Sequence, residues 1–198
     1  MITKTQLEII KIFTSKISKK FSINEITLLL KKPYPLIHRS IKPLIEKELI
    51  LIDEKKLLSL NYEKSLSEIV FAESIRTSEK LEKEKSVSLF VKDCMKNLNQ
   101  DFFVFLIFGS FVEKSNFNDL DIIIILENSK DTEKTEKIIG NIASNFSFKS
   151  DINVISKESA YEMFAKREQA NILNESLNKH LIVFGTENYY RILSNARG

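Results

Sequence analysis

Leu106-Ile-Phe-Gly-Ser110 and, eight residues later, Asp119-Leu-Asp-Ile-Ile-Ile-Ile125 decide how this chain is read. The first ends an apolar run in a Gly-Ser turn. The second opens another apolar run with two carboxylates one residue apart. Side chains on a strand alternate faces, so Asp119 and Asp121 point the same way. Two adjacent carboxylates repel each other unless a cation lies between them. Hard oxygen ligands at this spacing suit Mg²⁺, commonly bound together with substrate phosphates. Gly109 allows the backbone to approach a phosphate closely, and Ser110 offers a hydroxyl and an N–H. The chemistry implied is metal-assisted attack at a nucleoside triphosphate.

This order of elements resembles the nucleotidyltransferase superfamily, in particular the minimal nucleotidyltransferases related to DNA polymerase beta. Their pattern is an apolar strand, Gly-Ser, a loop, then Asp-x-Asp opening a second strand, with a third carboxylate on a later strand. Here that third carboxylate is Asp151, in Ser150-Asp-Ile-Asn-Val-Ile155. The likeness spans Asn97 to Ser156, and Phe184-Gly185-Thr-Glu-Asn-Tyr-Tyr190 resembles the tail of the small members. The resemblance implies that Gly109 and Ser110 hold the triphosphate. It implies that Asp119, Asp121 and Asp151 hold two Mg²⁺ ions, with Asp151 helping to deprotonate the acceptor hydroxyl. The loop is short for the family, and in Phe111-Val-Glu-Lys-Ser115 Lys114 stands in for the usual basic residue and Ser115 for the usual glycine. Gly-Ser and Asp-x-Asp are each common, and an Asp at a strand start is often a turn or cap residue. The ordered set on apolar runs carries the reading.

The chain has 198 residues, 43% of them hydrophobic, enough for one large or two small domains with a real core. Four glycines and three prolines leave little room for flexible linkers. Cys94, the single cysteine, can form no internal disulfide and reads as a buried thiol in a cytoplasmic protein. His38 and His180 are far apart in sequence, which disfavours a zinc site. No apolar run approaches the length of a membrane span, so no membrane partner is expected. The net charge of +3 conceals an asymmetry: residues 1–60 carry twelve Lys and Arg against six acidic residues, and the remainder carries 18 against 21. A basic first part implies an anionic partner.

That first part has its own pattern. Leu7, Ile9, Ile10 and Phe13 recur at helical spacing. Ser22 and Glu25 form a capping box ahead of a second helix whose apolar side is Ile23, Ile26, Leu29 and Leu30. Pro33-Tyr34-Pro35 turns the chain into a third helix with Ile37, Ile41, Leu44 and Ile45 inward. Pro43 is expected to kink or shorten it near Lys42. Leu49–Ile52 and Leu57–Leu60 read as strands around a tip at 53–56. Three helices and a hairpin resemble the winged helix-turn-helix family of DNA-binding domains. The resemblance makes the third helix the recognition helix, with Tyr34, His38, Arg39 and Lys42 facing the groove. Arg39 is the candidate to read guanine, Lys31, Lys32 and Lys42 are candidates for phosphates, and Lys55 and Lys56 lie at the wing. Many such domains bind proteins instead, and solvated charge alone would give the same surface.

Beyond it, Leu66, Ile69, Val70, Phe71 and Ile75 give a connector helix its apolar face, and residues 87–98 form a helix leading into the sheet. Ser129–Asn145 is amphipathic, with Ile138, Ile139, Ile142 and Phe146 inward. Lys149–Ile155 is a third strand. Helix follows from about Lys157 and a further helix runs to about Lys179, then come a short apolar run at 180–184 and a closing helix over 187–193. Phe111, Tyr161 and Tyr189 are candidates to stack on a base, although such aromatics are more often core. The expected fold is α/β (α+β) in two domains: a winged helix-turn-helix over 1–62, a helical connector over 63–85, and a nucleotidyltransferase-like mixed sheet flanked by helices over 86–198. The expected function is Mg²⁺-dependent transfer of a nucleoside monophosphate from a nucleoside triphosphate to an RNA or protein hydroxyl. The alternatives are a winged-helix transcription regulator whose second domain only senses nucleotide, and a toxin–antitoxin component. A homodimer is expected by analogy only.

Overall fold

Local signals start the first helices as expected. In this computed structural model, which describes residues 2–64, 66–114, 117 and 119–198, Ser22 caps α2 (Ile23–Leu30). The Ser22 hydroxyl accepts the Glu25 N–H at 3.2 Å and the Glu25 carboxylate accepts the Ser22 N–H at 2.7 Å. A second capping box, Thr3 with Gln6, opens α1 (Lys4–Ser15) and was not anticipated. Ile9, Ile10 and Phe13 of α1 are buried, and Phe13 meets Phe21 edge-on. The apolar side of α2 departs from expectation: only Ile26 is buried, and Leu29 is 57% exposed.

α3 (Tyr34–Glu46) buries Ile37, Ile41 and Leu44 and continues past Pro43 to Glu46 rather than ending near Lys42. A hairpin follows, β1 (Ile50–Ile52) antiparallel to β2 (Leu58–Leu60). Its tip is ordered by Asp53, whose carboxylate accepts the N–H groups of Lys55 and Leu57. Phe21 adds an antiparallel bridge to Leu58, exchanging backbone hydrogen bonds of 2.9 and 2.8 Å. The chain divides into two compact units, Met1–Glu73 and Ser74–Gly198. The helix α4 (Leu66–Leu81) spans that division, and Phe71, expected inward, is half exposed.

The second unit is built on a sheet whose strand order, among the described residues, is β5-β4-β3-β6. β3 (Phe103–Phe108) pairs antiparallel with β4 (Asp119–Leu126) and with β6 (His180–Phe184). β4 pairs parallel with β5 (Lys149–Ser156), a connection that needs a crossover, supplied by α7 (Thr132–Ala143). One face of the sheet, Phe103, Phe105 and Ile107 with Leu120, Ile122 and Ile124, packs under α5 (Lys85–Asn97) and α7. Phe146 and Phe148 cover Phe90 at that face with edge-on contacts. α8 (Lys157–Ala165) and α10 (Thr186–Arg197) contact the strands outside that cluster. The helix expected to reach Lys179 is instead a short one, α9 (Ile172–Ser176), and the closing helix is longer than expected. Cys94 is buried in the core, where desolvation pushes its thiol up to about 12. Along the margin of β6, Arg76 Nη1 donates to the His180 carbonyl at 2.5 Å and Thr77 Oγ1 to the Ile182 carbonyl at 3.1 Å. No described helix is long and apolar enough to cross a membrane. The result is a mixed α/β molecule.

Candidate functional site

The strand pairings bring the sequence motifs to one end of the sheet. Asp121 is the register partner of Phe108 on one side and of Asp151 on the other. Gly109, next after Phe108, has φ +74°, a conformation that L side chains rarely adopt. A Cβ built on it would overlap the Asp121 carboxylate, whose Cγ would lie 3.1 Å away. Glycine is therefore favoured by its backbone angle, and a side chain here would also displace the Asp121 carboxylate. Ser110 then opens the short helix α6 (Ser110–Glu113), and its Oγ is enclosed without a hydrogen-bond partner. A buried hydroxyl left unpaired is costly.

A cleft of about 570 Å³ lies over this end, lined by Phe108, Gly109, Asp121, Asp151, Ile172, Glu175 and Lys179. Burial pushes the Asp121 carboxyl above the ordinary carboxylate range, and the charges of Asp119 and Asp151 push it further. The three aspartates thus share one electrostatic neighbourhood, but only Asp121 and Asp151 line the cleft; Asp119 is exposed at the start of β4. Among the described residues no group of three or more His, Cys, Asp or Glu side chains is gathered as a ligand set. One or two carboxylates with phosphate oxygens suffice for Mg²⁺. The Asp121–Asp151 pair, strained by its own like charges, fits that requirement.

Lys114, expected at the triphosphate, is exposed outside the cleft lining, and its carbonyl accepts Lys80 Nζ at 2.9 Å. Ser115, which stands where a glycine was expected, lies outside the described residues. The basic side chain in the cleft is Lys179, held by Glu113 at 3.2 Å. Lys179 and Glu175 carry no motif in the sequence. Their position follows from topology: β6 runs antiparallel to β3 with His180 opposite Phe108, so the residue before β6 must lie beside the residue after β3. The Gly109 N–H accordingly donates to the Lys179 carbonyl at 3.0 Å. Phe111 and Tyr189 are fully buried and unavailable to a base, whereas Tyr161 is 46% exposed.

In the first unit, Tyr34 and His38 stack on each other with ring centroids 5.9 Å apart, and Arg39 and Lys42 stand exposed on α3. Lys42 reaches Glu46 at 4.0 Å. Lys31, with φ +52°, ends α2, and Lys55 and Lys56 are exposed at the hairpin tip. Lys32 is engaged differently: half buried, it pairs with Glu8 of α1. No family model, no curated protein and no solved structure matches the chain.

Proposed function

We propose that the second unit is a Mg²⁺-dependent nucleotidyltransferase and that the first is a winged helix-turn-helix that binds DNA. The observation that carries the first half is the convergence of Gly109, Asp121 and Asp151 on one cleft, with a glycine at positive φ against the Asp121 carboxylate and, next in the chain, the buried and unpartnered hydroxyl of Ser110. Asp121 and Asp151 would hold Mg²⁺, with Asp119 beside them on the same face. When bound, Mg²⁺ would lower the pKa of the acceptor hydroxyl and neutralise charge on the departing pyrophosphate. Gly109 lets the triphosphate lie against the backbone, and Ser110 Oγ donates to it. Asp151, at the open edge of the sheet, accepts the proton of the acceptor hydroxyl. The residues' part in catalysis is positioning and charge compensation. The exposed cations of α3 and the hairpin tip support the DNA half by the same fold analogy.

Label transfer tests the enzyme. The protein is incubated with α-labelled nucleoside triphosphates and Mg²⁺ in host extract, beside Asp121→Asn and Asp151→Asn. Transfer of label to an RNA or protein band, reduced by more than about 100-fold in each variant, is the expected result. Label that transfers equally well with Asp121→Asn sinks the assignment. A nucleotide-sensing regulator is the second reading, favoured by the absence of a gathered three-carboxylate set among the described residues. It predicts nucleotide binding without transfer.

A further inference from the structure

Resting on the nucleotidyltransferase reading, we propose that Lys179 is the side chain that meets the substrate's polyphosphate, and that Glu113 holds it aside until nucleotide arrives. Of the residues that line the cleft, Asp121, Asp151 and Glu175 are acidic and Lys179 alone is basic. A nucleoside triphosphate adds several more negative charges to this wall, and Lys179 is the lining residue able to answer them. Its main chain is fixed at the correct place: the hydrogen bond from the Gly109 N–H to its carbonyl ties it to the residue over which the phosphates pass. Its ammonium is not fixed. It rests on Glu113 Oε2 at 3.2 Å, with the two side chains 52% and 41% exposed. Solvent-screened pairs of this kind contribute little, so a multiply charged phosphate competes for the lysine with ease.

Glu113 is the last residue of α6, the helix that Ser110 begins, so the resting partner sits one turn from the residue that follows Gly109. The lysine exchanges Glu113 for phosphate by swinging its side chain while its backbone stays bound to Gly109. Lys114, the residue next to Glu113, is exposed and outside the cleft lining, and is replaced in this role by a residue sixty-odd positions later in the chain.

Calorimetric binding of α,β-methylene nucleoside triphosphates with Mg²⁺ tests this, using the full chain and the tightest of the four bases, with the corresponding monophosphate as the reference ligand. Lys179→Met keeps the backbone hydrogen bond, and should weaken the triphosphate analogue by about tenfold while leaving the monophosphate within about twofold. Glu113→Gln frees the lysine, and should tighten the analogue by about two- to fivefold. Equal losses for triphosphate and monophosphate in Lys179→Met overturn the proposal, since they mark a general loss of the cleft. So does weakening by Glu113→Gln, which would make the pair a strut, or a triphosphate-specific loss in Lys114→Met with none in Lys179→Met. Wild-type protein that binds none of the four analogues overturns the transferase reading as well. Wild-type binding with Lys179→Met unchanged overturns the lysine alone.

Discussion

Asp121 is placed where its charge is least welcome. Burial and two neighbouring aspartates raise its pKa above the ordinary carboxylate value of 3.8, so its ionisation costs more in the folded protein than in the unfolded chain. A group whose folded pKa is raised contributes stability that is complete below its unfolded pKa and is lost as pH rises through its folded pKa. The metal-free protein therefore loses stability on going from about pH 4 toward neutrality as Asp121 ionises. Asp121→Asn removes that loss. In chelator its Tm should exceed wild type by about 1–3 °C near pH 7, a modest effect because the carboxylate is partly solvated, with the gap closing near pH 4. Thermal unfolding followed by circular dichroism at both pH values checks this. A variant that melts below wild type at pH 7 would show that the carboxylate is a structural acceptor rather than a strained ligand. The substitution should thus raise stability and remove transfer together, the mark of a residue kept for function.

Elements differ in how much of themselves they declare. The Ser22–Glu25 box was legible because capping is local and reads off a three-residue spacing. Pro43 does not end its helix, because packing outweighs the local signal. A proline inside a helix costs about 3 kcal/mol, but α3 also buries Ile37, Ile41 and Leu44, at about 1.5–3 kcal/mol each, and the larger sum keeps the helix intact. α9 shows a third case, a short element held by distant side chains. The Asn174 amide donates to the carbonyls of Lys166 and Gln169 at 2.9 Å, and its oxygen accepts Arg197 Nη2 at 2.5 Å. This clasp sets the wall that brings Ile172 and Glu175 to the cleft. Asn174→Ala should cost about 1–3 kcal/mol by leaving these groups unpaired. It should also weaken nucleotide binding, which urea unfolding and calorimetry on the same sample would measure. Loss of stability with unchanged nucleotide affinity would remove the clasp from the site.

At the scale of the whole molecule, the sheet's connectivity explains what could and could not be read. Gly109, Ser110, Asp121 and Asp151 were legible because three apolar runs announce three strands and the residues at their ends. Lys179 was not, because nothing near it in sequence says that β6 returns beside β3. Lys114 is near the Gly-Ser motif in sequence, but it follows α6 and lies outside the cleft lining. The charge asymmetry of the two parts was legible from composition, and it makes a prediction of its own. If the first unit binds DNA, the log of its affinity falls with the log of salt concentration. Replacing Lys31, Lys42, Lys55 or Lys56 by Ala should weaken binding at every sequence and reduce the slope by about one for each lysine that meets a phosphate. Arg39→Ala should instead relax preference at one base pair. Lys32→Ala should leave the slope unchanged, because its partner is Glu8. Fluorescence anisotropy over a salt series separates these cases, and a slope insensitive to all four lysines would turn attention to a protein partner.

The two side chains that reach the margin of β6 bear on how this molecule behaves in a crowded solution. A strand at the border of a sheet offers a row of vacant acceptors on which a foreign strand can crystallise, and sheets that grow this way become fibrils. Arg76 and Thr77 already occupy two alternate acceptors on that border, at His180 and Ile182. An incoming chain would have to evict both before it could pair. Open-ended polymerisation from that side is thereby opposed by two side chains that already hold its carbonyls.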